Sequence, residues 1–337
     1  MRSSKNKHGG LDMIDLFYNS YKDGKLDEQV SGFLYELSNN DSISMWLQTP
    51  EEVRKNNDVT DWVLKRDRPF KVNTILIPVD GSCIRLRIYT PKGNGPFPVL
   101  AYFHGGGWVF GTLDEADHIC SYFSNEIPAV VVSIDYRLSP EYKYPRAIED
   151  VYAAILWIEN EIATYNGNPK YIGVAGESAG ANMATVVCQM LRDRKGPKIC
   201  YQLLICPWVD LLHTDTKSYQ LFGDGIWLSK SGIEYYRNQY LGSVEETKDP
   251  YVSPILSEDL ANLPPAHIIT AEFDVLRDEG ETYAQKLLEA GNRVTLKQYK
   301  GMIHSFIILN RRIDKANEAI DDCISILKDA IYKERNK

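Results

Sequence analysis

The run Tyr171-Ile-Gly-Val-Ala-Gly-Glu-Ser-Ala-Gly180 sets Ser178 between glycines at 176 and 180, with Ala179 directly after it. A serine hydroxyl attacks a carbonyl only when it is exposed and when a neighbouring base takes its proton. Small residues on both sides let a strand turn sharply into a helix, which strains the serine backbone and presents Oγ. The serine then lies at a helix N-terminus, where N–H groups and the dipole favour negative charge. Loops produce Gly-x-Ser-x-Gly by chance, so placement decides. Here an apolar β-type run, Tyr171–Ala175, precedes the pattern and a helical pattern, Ala181–Arg192, follows it. Ser178 is the expected nucleophile.

A second stretch, His104-Gly-Gly-Gly-Trp108, follows the apolar run Phe97–Phe103. Consecutive glycines let backbone pass close to a reacting carbonyl and aim N–H groups at its developing oxyanion. Gly105, Gly106 and Gly107 are the expected oxyanion loop. The donors are expected to be the N–H groups of Gly106, Gly107 and Ala179. His104 is read as orienting the loop rather than moving protons. His8-Gly9-Gly10 is a similar triplet with no strand before it, and it reads as a disordered tail.

The serine needs a base and the base needs an orienter. On a sheet with such a strand-to-helix turn the chain order is Ser, then Asp or Glu, then His. Three histidines follow Ser178. His304 comes after the last β run, in Lys300-Gly-Met-Ile-His-Ser-Phe306, and is the expected base. His267 lies inside the apolar run Ala266–Thr270 and reads as a core histidine. His213 lies away from any strand end and is a candidate for the pocket wall. Asp274 ends the run Ala266–Phe273, so its carboxylate can reach across strand ends; it is the expected acid. Asp278 and Glu279 read as helix-start residues favoured by the dipole. Glu177 reads as structural, and Asp117 and His118 as surface or capping residues.

These positions require a frame. Val72–Val79 and Ile84–Tyr89 form a hairpin pattern turned at Asp80-Gly81. Phe97–Phe103, Ala129–Tyr136, Tyr171–Ala175, Ile199–Cys206, Ala266–Phe273 and Val294–Tyr299 are apolar runs of buried-strand length. Between them, Ile148, Val151, Ile155 and Ile158 recur at helical spacing, as do Ile313, Ala316, Ile320, Cys323 and Leu327. The expectation is an α/β fold with a mostly parallel central sheet, helices on both faces and an antiparallel opening hairpin. Two segments add no strand: residues 1–65, with helical patterns at Met13–Tyr21, Leu26–Leu37 and Glu51–Asn56, and residues 209–262. Ligands bind outside the carboxyl ends of such a sheet, so both segments are expected to roof it as a helical cap. The division is then a cap segment at 1–65 and a catalytic domain at 66–337 carrying a cap insertion at about 209–262. Trp108, Trp208, His213, Phe222, Trp227 and Ile303 are the expected substrate-binding residues.

Composition narrows the partners. The 337 residues are 44% hydrophobic and 25% charged, and 38 Lys and Arg against 46 Asp and Glu leave a net charge of −8. An acidic chain with no basic block is a poor match for nucleic acid or an anionic membrane surface. Six cysteines are scattered without a Cys-x-x-Cys pair, so no metal site or redox motif is legible and free thiols in a reducing compartment are expected. Met1–Gly10 is polar, and the longest charge-free run, Gly93–Leu113, is broken by prolines and glycines. A cytoplasmic location without a membrane segment is expected.

With His104-Gly-Gly-Gly-Trp108, Asp135-Tyr-Arg-Leu-Ser-Pro-Glu141, Gly176-Glu-Ser-Ala-Gly180, Asp274-Val-Leu-Arg-Asp-Glu-Gly280 and His304 in this order, the chain resembles the hormone-sensitive-lipase-like carboxylesterases of the α/β-hydrolase fold. The resemblance covers roughly residues 70 to 310. It implies Ser178, Asp274 and His304 as a triad, an oxyanion loop at 105–107, short- to medium-chain ester substrates and no metal or organic cofactor. Members of the group often dimerise through the sheet edge, so a homodimer is the implied assembly. Two departures are small: Ser139 stands where alanine is common, and Glu177 where aspartate is common. An amidase or formamidase would share the triad, because leaving-group preference resides in pocket shape. Plant gibberellin receptors resemble the same group as non-catalytic binders that lack the histidine; His304 stands against that reading.

Overall fold

Alternation of β-branched runs with amphipathic helices produces one eight-stranded sheet in the order β1-β2-β4-β3-β5-β6-β7-β8. The computed structural model describes residues 25–38, 47–56, 62–63 and 69–335; the Met13–Tyr21 pattern and His8-Gly9-Gly10 lie outside them. In chain order the main elements are α1 (Glu28–Ser38), α2 (Pro50–Asn56), β1 (Lys71–Val79), β2 (Ser82–Thr90), β3 (Phe97–Phe103), α3 (Leu113–Glu126), β4 (Val130–Asp135), α4 (Arg146–Glu161), β5 (Gly167–Glu177), α5 (Ala179–Asp193) and β6 (Ile199–Ile205). They continue with α6 (Lys217–Phe222), α7 (Lys230–Tyr240), β7 (Ala266–Phe273), α8 (Arg277–Glu289), β8 (Val294–Ile303) and α9 (Asp314–Arg335). β1 and β2 pair antiparallel around Asp80-Gly81, with Gly81 at φ 69°, and β2 pairs antiparallel with β4. From β4 through β3 to β8 every pairing is parallel. β3 and β7 are buried along their whole length, as central strands covered on both faces must be, while β1 at the edge alternates toward solvent.

The register explains why distant residues meet. Phe103 pairs with Gly176, Glu177 with Ile205, and Phe273 with Ile303. The residues immediately after these pairs therefore emerge side by side at the carboxyl edge: His104, Ser178, Cys206, Asp274 and His304. A register shift between Ala271 and Phe273 carries β8 through to Ile303, past the Tyr299 end expected from its apolar run.

Residues 209–262 contain α6, α7 and short 3₁₀ turns but no strand. Phe33 after α1 begins, Trp62, and Trp227 pack as a ring cluster with centroids 5.4–5.6 Å apart, bringing the two strandless segments into contact. Arg54 on α2 pins its helix to the body. Its guanidinium donates to Val109 O at 2.7 Å and Ser139 O at 2.6 Å, and grips Glu141 through two bonds. Among the described residues, no helix is long and apolar enough to cross a membrane.

Candidate active site

Ser178 caps α5 with φ at 54°, a left-handed value that a side chain adopts only when its surroundings hold it. Its N–H donates to Ile205 O at 2.8 Å. A Cβ on Gly176 would lie 2.3 Å from Gly180 backbone, and one on Gly180 would lie 2.1 Å from Phe103 O. Both flanking glycines are thus required by close backbone packing as well as by the turn.

Ser178 Oγ lies 2.9 Å from His304 Nε2, and His304 Nδ1 lies 2.7 Å from Asp274 Oδ2. A carboxylate only accepts, so Nδ1 carries the proton and Nε2 is left to accept from the serine hydroxyl. Leu276 N–H donates to Asp274 Oδ1 at 2.9 Å, fixing the carboxylate from its other side. Burial opposes charging His304, but the Asp274 charge, the hydrogen bond to it and the Glu177 charge outweigh that penalty, and the histidine pKa is raised above its ordinary 6.5. Glu177 is the contribution that sequence reasoning passed over. Its carboxylate accepts from Ser305 Oγ and lies 3.9 Å from His304 Nε2. Burial, set against the His304 charge and the Ser305 bond, leaves its own pKa raised.

The glycine loop has the geometry of an oxyanion cradle. Gly106 and Gly107 have φ of 103° and 58°. A Cβ on Gly106 would lie 2.3 Å from Phe110 O, one on Gly107 2.5 Å from the Tyr236 ring, and one on Gly105 would strike the Glu177 carboxylate. Among the described residues no hydrogen bond uses the N–H of Gly106, Gly107 or Ala179, which leaves those donors for a substrate oxygen. His104 stacks on Tyr136 with centroids 4.3 Å apart and donates from Nδ1 to Gly105 O at 2.8 Å. Burial depresses its pKa and keeps the ring neutral. That arrangement suits a loop-orienting residue.

A cavity of about 650 Å³ opens over Ser178 and His304. Of the expected wall residues it takes in Trp208 and Trp227. Four expectations need correction. Trp108 is absent from the cavity lining and stacks on Tyr240, with centroids 4.1 Å apart. Phe222 is buried between Phe273 and the Arg277 guanidinium. His213 is held outward by Asp210, Nδ1 to Oδ2 at 2.9 Å, with its side chain 53% exposed. Ile303 is committed to sheet pairing with Phe273 and is buried. Trp62, Phe110 and Tyr236 line the cavity instead. His118 is neither a surface nor a capping residue: it is buried on α3 and also lines the cavity.

The remaining candidate acids and bases from the sequence have partners away from Ser178. His267 is buried with Nδ1 2.7 Å from Thr295 Oγ1, as a core histidine should be. Asp278, in the first turn of α8, accepts from Ser218 N–H at 2.7 Å, away from His304. Glu279 is buried and accepts the N–H groups of Val209 and Asp210 at 2.8 and 3.0 Å, which holds the loop carrying Trp208. Cys206, Asp274 and His304 bring potential ligand atoms within 4.8 Å of one another. The 2.7 Å spacing of Nδ1 and Oδ2 is that of a shared proton, and burial followed by the Asp274 charge pushes the Cys206 thiol pKa well up, so the set reads as triad and neighbour.

A family model described as the alpha/beta hydrolase fold matches residues 100–308, more than half of the chain. The chain belongs to that family, within its hormone-sensitive-lipase-like group. It is similar to a carboxylic ester hydrolase, LipN, of Mycobacterium tuberculosis, 39% identical over 76% of this chain and 70% of the relative. It is also similar to an arylesterase of Saccharolobus solfataricus, 31% identical over 84% of this chain and 92% of the relative. Among solved structures, a hyperthermophilic esterase from Pyrobaculum calidifontis superposes with a TM-score of 0.86 at 35% identity, covering 90% of this chain and 98% of that one.

Proposed function

We propose that this chain is a serine carboxylesterase acting on short- to medium-chain esters through an acyl-enzyme. The observation that carries the reading is the Ser178–His304–Asp274 relay, with links of 2.9 and 2.7 Å at the floor of an apolar-walled cavity. Ser178 Oγ attacks the ester carbonyl as Nε2 of His304 takes its proton, and Asp274 holds the resulting imidazolium. The N–H groups of Gly106, Gly107 and Ala179 receive the tetrahedral oxyanion. His304 then protonates the leaving alcohol, and the same base activates water to release the acid. No step in this sequence calls for a metal or organic cofactor.

In this reading the N-terminal segment and the 209–262 insertion together form the cap, supported by the cavity residues Trp62 and Trp227 that they supply. The six cysteines, all free, support a reducing, cytoplasmic setting. A homodimer through the sheet edge is part of the same reading, with Leu296 on edge strand β8 exposed at 45%. The test is a panel of esters and matched amides assayed on wild type and Ser178→Ala, with labelling by a serine-reactive phosphonate. Ester turnover and labelling that both vanish in the variant support the proposal. A wild-type protein that binds the phosphonate's alcohol but never reacts would be a binder, and faster amide turnover would make it an amidase.

A further inference from the structure

The oxyanion loop is held in a conformation its own sequence resists. Gly107 and Trp108 are consecutive left-handed residues, at φ of 58° and 60°. Glycine tolerates that region freely, but a bulky aromatic does so only when its surroundings over-determine it. Trp108 also buries its indole Nε1 without a partner, a second cost that favours some other placement. The loop's own bonds are few. Val109 N–H and Phe110 N–H return to Gly106 O, and Ser139 N–H takes Trp108 O at 2.8 Å.

What opposes these costs comes chiefly from α7, with Trp208 against the ring and the Arg54 bond to Val109 O beside it. Tyr236 and Tyr240 lie one helical turn apart and so present the same face. Tyr240 stacks on the Trp108 ring with centroids 4.1 Å apart and planes within 3°, while Trp208 packs the Trp108 ring at 5.2 Å. Tyr236 closes against Gly107 so tightly that a Cβ there would lie 2.5 Å from its ring. The helix is itself anchored. Lys143 Nζ donates to Leu241 O at 2.6 Å and Asn238 O at 3.0 Å, Tyr144 N–H donates to Tyr240 O at 2.9 Å, and the Tyr144 ring meets Tyr240 at 5.9 Å. Both tyrosine rings are buried.

We propose that Tyr236 and Tyr240 are positioning residues for the oxyanion hole: the insertion helix clamps Gly107 and Trp108 in their left-handed conformation and thereby aims the loop's N–H groups at the substrate oxygen. The proposal rests on the serine-esterase reading and extends it. The insertion then has two tasks, covering the cavity and holding catalytic backbone that is far from it in sequence. The clamp acts on the transition state, because the ground-state carbonyl gains less from those donors than the oxyanion does.

The experiment compares wild type with Tyr240→Phe and Tyr240→Met. It reads kcat, KM for a short-chain aryl ester, and the affinity of a trifluoromethyl ketone whose serine adduct places an oxyanion in the hole. Tyr240→Phe keeps the ring stack and stays near wild type. In Tyr240→Met kcat falls about tenfold to a hundredfold with KM little changed, and ketone affinity falls by a matching factor. A folded Tyr240→Met enzyme with unaltered kcat and ketone affinity, or with a loss confined to KM, overturns the clamp. If that variant shows no cooperative melt, Tyr236→Met decides the matter. Because Tyr236 also lines the cavity, its readout is ketone affinity relative to KM, which drops if the clamp exists and stays level if it does not. Ser178→Ala, run alongside, separates the two layers: activity surviving there would remove the serine reading itself, whatever the tyrosine variants do.

Discussion

Ser178, His304 and Asp274 form a single relay, and their losses should behave as one. Ser178→Ala or His304→Ala lowers kcat by about 10⁴-fold or more, and the double variant loses little further. Losses that multiply would mean the two residues do not work on the same proton. Asp274→Asn is strongly damaging, since it removes the acceptor that fixes Nδ1–H, whereas Asp278→Asn acts mildly on kcat because Asp278 serves Ser218 and Arg277. Glu177 adds a second prediction. A base must be neutral to work, so kcat/KM rises with pH through the histidine pKa, which is raised above 6.5 by Asp274 and, in smaller part, by Glu177. Removing the Glu177 charge makes the imidazolium less stable and lowers that pKa. Glu177→Gln therefore moves the acid limb of the kcat/KM profile toward lower pH, while a limb that stays in place or climbs would deny Glu177 any electrostatic hold on His304. Ser305→Ala removes only a bond that favours the charged carboxylate, so it should move the limb in the same direction as Glu177→Gln but by less.

At the scale of elements, what was legible in the sequence was the sheet and the turns at its carboxyl edge, and the reason is periodicity. Buried parallel strands must be short apolar runs, so Phe97–Phe103 and Ala266–Phe273 end in the structure where their apolar character ends. The glycine clusters mark close backbone approach, which only glycine permits. The pocket wall was not legible, because in the 209–262 segment only helix phase and packing decide which ring faces the cavity. Phe222 and Trp227 are both bulky and five positions apart, yet Phe222 turns into Phe273 while Trp227 joins Phe33 and Trp62. Trp108 is illegible for a different reason: its neighbours in sequence are catalytic, but its ring partner Tyr240 lies on a distant helix. The aromatic roof that results predicts substrate length. Each methylene that fits adds up to about 0.8 kcal/mol and one that meets a wall adds nothing, so kcat/KM across an acyl series should peak at about two to eight carbons. Trp227→Ala opens the roof and should move that peak to longer chains, at little cost to the shortest ester. A peak that does not move would place the chain end somewhere other than beneath Trp227.

For the whole molecule, the same burial that tunes the site also sets how folding responds to acid. His267 lies on β7 and pairs with Thr295 of β8, whose hydroxyl is bonded to Nδ1, with Asp322 of α9 and Lys297 of β8 as its charged neighbours. Burial lowers its pKa to about 4, Lys297 acting in the same direction and Asp322 against it. In the unfolded chain a histidine titrates near ~6.5. Between those two values the unfolded state binds more protons than the folded one, so stability falls as pH drops from 6.5 toward 4 and is fully present above 6.5. The size follows from the gap between the two pKa values and is on the order of 3 kcal/mol. His304 works in the opposite sense. Its raised folded pKa contributes stability below the unfolded value and loses it as pH rises through the folded one. The two histidines can be separated by His267→Asn, which can keep a donor toward Thr295 and does not titrate. Urea midpoints taken from pH 7 down to pH 4 should fall more steeply for wild type than for this variant, the two curves drawing together at the acid end. Parallel curves across that range would mean that protonating His267 does not oppose folding, and that its burial is relieved before the proton arrives.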